Sequence, residues 1–155
     1  MGWKREWKPH KNMTPRNKTD MIVIHCSATP ADMDIGVEKI KHWHVVDNGW
    51  DDIGYHYVIK RDGTLETGRE EHRTGSHARQ VNGTSIGICL VGGSDSNGGW
   101  ENNFNEEQFE TLKDIVTKLK NKYSINKVIG HYEVDDVKKC PSFDVKEWLE
   151  KNGMV

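Results

Sequence analysis

Cysteine is scarce in this chain: Cys26, Cys89 and Cys140 are three widely spaced residues among 155. An odd, scattered set in a chain long enough to bury its own core argues against a disulfide framework, and implies reduced thiols and synthesis in the cytosol. Long apolar runs are missing as well. Nothing approaches the ~18 residues that span a bilayer, and the basic start Met1-Gly2-Trp3-Lys4-Arg5 has no apolar stretch behind it. A substrate beyond the membrane would therefore need another protein to provide passage. An excess of one charge is also lacking: 22 Lys and Arg against 24 Asp and Glu leave a net charge of −2. No global positive field exists to hold nucleic acid, so no direct nucleic-acid partner is expected.

Aromatic and β-branched residues are spread along the chain, which argues for one folded domain rather than disorder. Residues 1–20 are rich in Lys, Arg, Asn and Pro without apolar periodicity, and are expected to form an irregular basic arm before a domain over 21–155. Within the arm, Trp3 and Trp7 lie among Lys4, Arg5, Lys8 and Lys11. If helical, this segment would suit an anionic envelope surface.

The run Met21-Ile22-Val23-Ile24-His25-Cys26 is expected to be a central strand buried on both faces, which leaves His25 at the mouth of a loop. Asp34 is placed to cap a helix through about Asp47, stopped by Asn48-Gly49. Tyr55 to Lys60 reads as a strand, with Asp62-Gly63 turning a hairpin into Thr64-Leu65-Glu66-Thr67. Ser85 to Val91 is a second buried strand. The strongest periodicity runs from Glu106 to about Tyr123, with Asn105 and Gln108 spaced as a capping box. Lys127 to Gly130 is a short strand delivering His131, and Asp144 caps a last helix from Val145 to about Asn152. Strands and helices interleave, giving an α/β fold: a single domain with a central mixed sheet flanked by helices.

Two strands thus end in a histidine. If they are parallel neighbours, His25 and His131 meet at one edge of the sheet, where open α/β sheets place their sites, and Cys140 lies in a loop that can fold back to them. Two imidazoles and a thiolate leave a fourth position open on zinc, as catalytic rather than structural sites do. Spacing alone leaves a second reading open: a hydrogen-bonded histidine and an ordinary buried thiol are the commoner fates of such residues. His42 and His44, two apart on a helix, cannot grip one ion, and Cys26 and Cys89 read as small core residues. His10 and His72 read as solvated. His56 should alternate with Tyr55 and face away from it.

The strings Val23-Ile24-His25-Cys26-Ser27-Ala28-Thr29, Gly54-Tyr55-His56-Tyr57, Gly75-Ser76-His77-Ala78, Asn82-Gly83-Thr84-Ser85-Ile86-Gly87 and Cys140-Pro141-Ser142-Phe143-Asp144 resemble the type-2 N-acetylmuramoyl-L-alanine amidases, in their order and from about Met21 onward. The resemblance implies the fold shared with peptidoglycan-recognition proteins, and a Zn2+ cofactor on His25, His131 and Cys140. It implies catalytic roles for Tyr55 and Lys138, and a substrate groove including His77, Asn82 and Thr84. The segment from His131 to Cys140 is one residue longer than in small phage members, so Lys139 rivals Lys138. The activity implied is hydrolysis of the amide between N-acetylmuramic acid and L-alanine in bacterial peptidoglycan, by a phage endolysin acting as a monomer. Such an enzyme is made in the host cytoplasm and reaches the periplasm through a separate lysis protein. Small phage members also inhibit their phage's RNA polymerase, which makes that polymerase a second expected partner. Peptidoglycan-recognition domains that only bind lack the cysteine ligand, so Cys140 favours catalysis. Glycosidase chemistry would need two carboxylates flanking a sugar bond, and no acidic pair stands out for it.

Overall fold

A computed structural model describes residues 15, 16, 18–135 and 138–154; Trp3, Trp7, Lys4, Arg5, Lys8, Lys11 and His10 lie outside them. The six residues of β1 (Met21–Cys26) are all buried, as their continuous apolar character requires. β1 lies between β4 (Ser85–Leu90) and β5 (Lys127–Gly130), parallel to both. β2 (Tyr57–Ile59) adds in parallel to β4, and the Asp62-Gly63 turn returns β3 (Leu65–Thr67) antiparallel to it. The sheet is therefore mixed, with order β3-β2-β4-β1-β5. Among the described residues no helix is long and apolar enough to cross a membrane.

Strand alternation divides the side chains between two faces. Ile22 and Ile24 of β1 join Ile86, Ile88 and Leu90 of β4 beneath α2 (Glu106–Tyr123) and α3 (Val145–Lys151). Each such isoleucine or leucine, fully buried, contributes about 1.5–3 kcal/mol. The stripe Leu112, Ile115, Val116 and Leu119 of α2 is what meets them. The expected capping box is present: Gln108 N–H donates to Asn105 Oδ1 at 3.0 Å, and Asn105 N–H donates to Gln108 Oε1 at 3.2 Å. Asp144 likewise accepts from Glu147 N–H at 3.0 Å to start α3.

On the opposite face, α1 spans Val37–His42 and relaxes into a π-helical turn over Trp43–Asp47. Asp34 does not cap it. The helix begins after Gly36, and the Val37 N–H donates instead to Glu66 Oε1 of β3 at 2.8 Å. A Cβ on Gly36 would stand 2.2 Å from that oxygen, so glycine is what lets the carboxylate in. The arm's end is tied down by an isolated bridge of Pro15 with Arg73, and the Arg16 guanidinium donates to the Arg73 carbonyl at 2.8 Å.

Candidate metal centre and active site

The register of β1 against β5 runs from Met21 opposite Lys127 to Ile24 opposite Gly130. Parallel pairing then carries the next residues, His25 and His131, to the same edge, with ring centroids 4.5 Å apart. The chain turns through a 3-10 segment at His131–Glu133 and comes back: Tyr132 N–H donates to the Cys140 carbonyl at 2.9 Å. Cys140 Sγ accepts from the Cys26 backbone N–H at 3.0 Å and lies 4.0 Å from His25 Nδ1. One donor atom from each of His25, His131 and Cys140 falls within 4.8 Å of the others.

Electrostatics keep this cluster neutral. Burial, and then the neighbouring imidazoles of His77 and His131, hold His25 well below the usual histidine range. The adjoining Cys26 thiol and burial push the Cys140 thiol well above its ordinary value. A cation among the three would reverse that preference, because a positive charge favours thiolate and neutral imidazole donors.

The ring of Tyr55 lies 5.1 Å from that of His25 and 5.6 Å from that of His44. Burial and the surrounding cysteines raise its hydroxyl well above the usual tyrosine range, so it stays protonated. Lys138 and Lys139 are both exposed. Burial lowers His131; the Asp135 carboxylate opposes the shift and the Lys138 charge adds to it.

The three residues expected in a groove lie beside this cluster or on the segment leading into β4. His77 is buried at 7 % exposure, and its Nδ1 lies 2.8 Å from His25 Nε2. Asn82 Oδ1 accepts from the backbone N–H groups of His77 and Ala78 at 2.9 and 2.8 Å, which ties down the segment carrying His77. Thr84 is half-buried, its hydroxyl 3.5 Å from the Val81 carbonyl. His56 departs from the alternation argument, because β2 begins only at Tyr57. Its ring packs edge-on against His77 at 5.7 Å. The contributions of His56, Ser85 and the Cys26 N–H were not read from the sequence. One signal was there: Gly87, a glycine in mid-strand, marks a close approach.

Comparison with known proteins agrees with this geometry. The sequence profile of the family described as N-acetylmuramoyl-L-alanine amidase matches residues 15–143. The chain belongs to that family. This amidase is 47% identical over 142 residues to an endolysin of Klebsiella phage KP32, covering 92% of this chain and 93% of that one. It is 48% identical over 140 residues to an endolysin of Escherichia phage T7, covering 90% and 91%. Its fold superposes on the N-acetylmuramoyl-L-alanine amidase LysC from Clostridium intestinale with a TM-score of 0.81 at 28% identity, over 97% of this chain and 95% of that one. In this amidase the last residues of β1, His25 and Cys26, and the loop before α3, which carries Cys140, share one site.

Proposed function

We propose that this amidase is a zinc-dependent phage endolysin that hydrolyses the amide joining the lactyl group of N-acetylmuramic acid to L-alanine in bacterial peptidoglycan. The carrying observation is the convergence of His25, His131 and Cys140 at the open edge of the sheet. Two nitrogen donors and one sulfur donor suit zinc better than the hard cations, and three protein donors leave a position for water or substrate. Zinc held there supplies an acidified water at neutral pH and a Lewis acid for the carbonyl.

The chain's own residues do the rest. The Tyr55 hydroxyl, kept protonated by burial, donates a hydrogen bond to the reacting oxygen beside His25. The Lys138 ammonium stabilises negative charge as the carbonyl becomes tetrahedral. Lys138 is favoured over Lys139 because its charge reaches His131. Asn82 acts by holding the loop of His77, and with Thr84 it borders the path of the glycan-peptide strand. The endolysin relatives support synthesis in the host cytoplasm and action on the cell wall; passage by a separate lysis protein and a monomeric enzyme rest on the sequence resemblance. Association with the phage RNA polymerase rests on the sequence resemblance, and loss of polymerase retention on immobilised protein would remove it.

Mass spectrometry of digested peptidoglycan, with and without a zinc chelator, tests the main reading. Released peptides with free L-alanine amino termini, abolished by the chelator and restored by zinc, are expected. New reducing sugar ends, or cleavage indifferent to chelation, would overturn it.

A further inference from the structure

The imidazole of His77 lies behind His25 in a slot that the chain has shaped for it. A Cβ on Gly87, in the middle of β4, would stand 2.5 Å from His77 Cγ, and one on Gly75 would stand 2.7 Å from His77 Cδ2. Side chains essentially never approach so closely. Glycine in mid-strand weakens a strand, so the space is kept at a cost.

Hydrogen-bond arithmetic through the slot has one solution. The Val81 carbonyl can only accept, and Ser85 Oγ lies 2.6 Å from it, so the single hydroxyl proton of Ser85 points there. Ser85 Oγ is 3.3 Å from His77 Nε2 and, its proton spent, must accept from an Nε2–H. A neutral imidazole carries one donor and one acceptor, which leaves His77 Nδ1 as an acceptor. It lies 2.8 Å from His25 Nε2, so that nitrogen carries the proton of His25. The remaining nitrogen, His25 Nδ1, then presents its lone pair, and it is the atom 4.0 Å from Cys140 Sγ.

We propose that His77, locked by Ser85, is the positioning residue that fixes His25 as the tautomer protonated on Nε2 and turns its Nδ1 lone pair toward Cys140. A lone pair facing His77 instead would leave a hydrogen pointing at the cluster and no donor for a metal. The proposal rests on the reading of the cluster as a metal centre. Metal-binding histidines are commonly fixed through the second ring nitrogen, and loss of such a partner costs about 10–100-fold in metal affinity.

The test uses the whole chain and two readouts. The first is long-range proton–nitrogen NMR of the metal-free protein, which distinguishes the two tautomers of His25. The second is zinc affinity by chelator competition. His77→Phe fills the slot without an acceptor and should weaken zinc about 10–100-fold, with His25 no longer held as one tautomer. His77→Asn, whose Oδ1 takes the place of Nδ1, should recover most of the affinity. Ser85→Ala frees His77 to turn over, and serves if His77→Phe does not fold; it should mix the His25 tautomers and weaken zinc. Peptidoglycan turnover in these variants should fall in kcat with KM unchanged, if His77, buried behind His25, acts only through it. A folded His77→Phe, or failing that Ser85→Ala, with wild-type zinc affinity and an unchanged His25 tautomer overturns the proposal. So does a wild-type His25 protonated on Nδ1. If the wild type binds no zinc, the metal reading falls, and the tautomer measurement still decides the relay.

Discussion

Along β4, Ile86, Ile88 and Leu90 point to one face of the sheet, and Ser85, Gly87 and Cys89 to the other. The first face is held by area: methyl groups under α2 and α3 that gain from burial whatever their exact neighbours. The second has apolar clusters of its own, but around His25 it is held by assignment. His25, His77 and Ser85 each have a designated partner, and Gly75 and Gly87 are small because an imidazole occupies the space. A packed apolar face tolerates exchange of shapes, whereas a buried polar chain fails as a unit when one member cannot donate or accept.

The two faces should differ most in their response at Cys140. Cys140→Ser should lower amidase turnover by about a thousandfold or more through lost metal chemistry, with little change in the thermal stability of the metal-free protein. A calorimetric scan beside the digestion assay separates the two. Leu112→Ala on the apolar face should do the reverse, costing about 2–5 kcal/mol of stability in denaturant titration while zinc affinity stays at the wild-type value. Loss of zinc binding in a folded Leu112→Ala would show that the faces are not independent.

Acid sharpens the contrast, because the two regions titrate in different windows. Burial holds His56 down to about 4 against an ordinary 6.5. Between those values the unfolded chain binds a proton that the folded chain refuses, so stability falls as pH drops from about 6.5 to about 4, by about 2–3 kcal/mol from this residue. His56→Asn should flatten the stability profile across that window. Near the other face, burial raises Glu71, but hydrogen bonds from Lys122, Tyr123 and Tyr57 outweigh it and hold the carboxyl at about 2, against an ordinary 4.5. Its contribution is present above about 4.5 and disappears as pH falls toward 2. Partial exposure to solvent reduces it to about 1–2 kcal/mol. Glu71→Gln should cost that much at neutral pH and nothing at pH 2, as urea titrations at the two values would show.

Much of the frame was legible because its signals are local. The stripe and capping box of α2, the Asp62-Gly63 hairpin and the apolar runs of β1 and β4 are short-range patterns, and each produced its element. Convergence of His25 and His131 was legible once both were seen to close short strands, since parallel pairing then forces them together. The start of α1 was not, because its cap is Glu66, which arrives from β3. His77 was legible as a residue of interest through resemblance, but its burial behind His25 was not.

Local sequence patterns were enough to place β1, β4, α2 and α3, and to show that two imidazoles and a thiol were available for one site. Those follow from periodicity and capping, interactions within a few residues. The tertiary structure alone sets β1 between β4 and β5, and brings His25 Nε2 within 2.8 Å of the ring of His77, 52 positions away. A hydrogen bond selects its partner by distance and direction in space, and neither is written in the spacing of the chain.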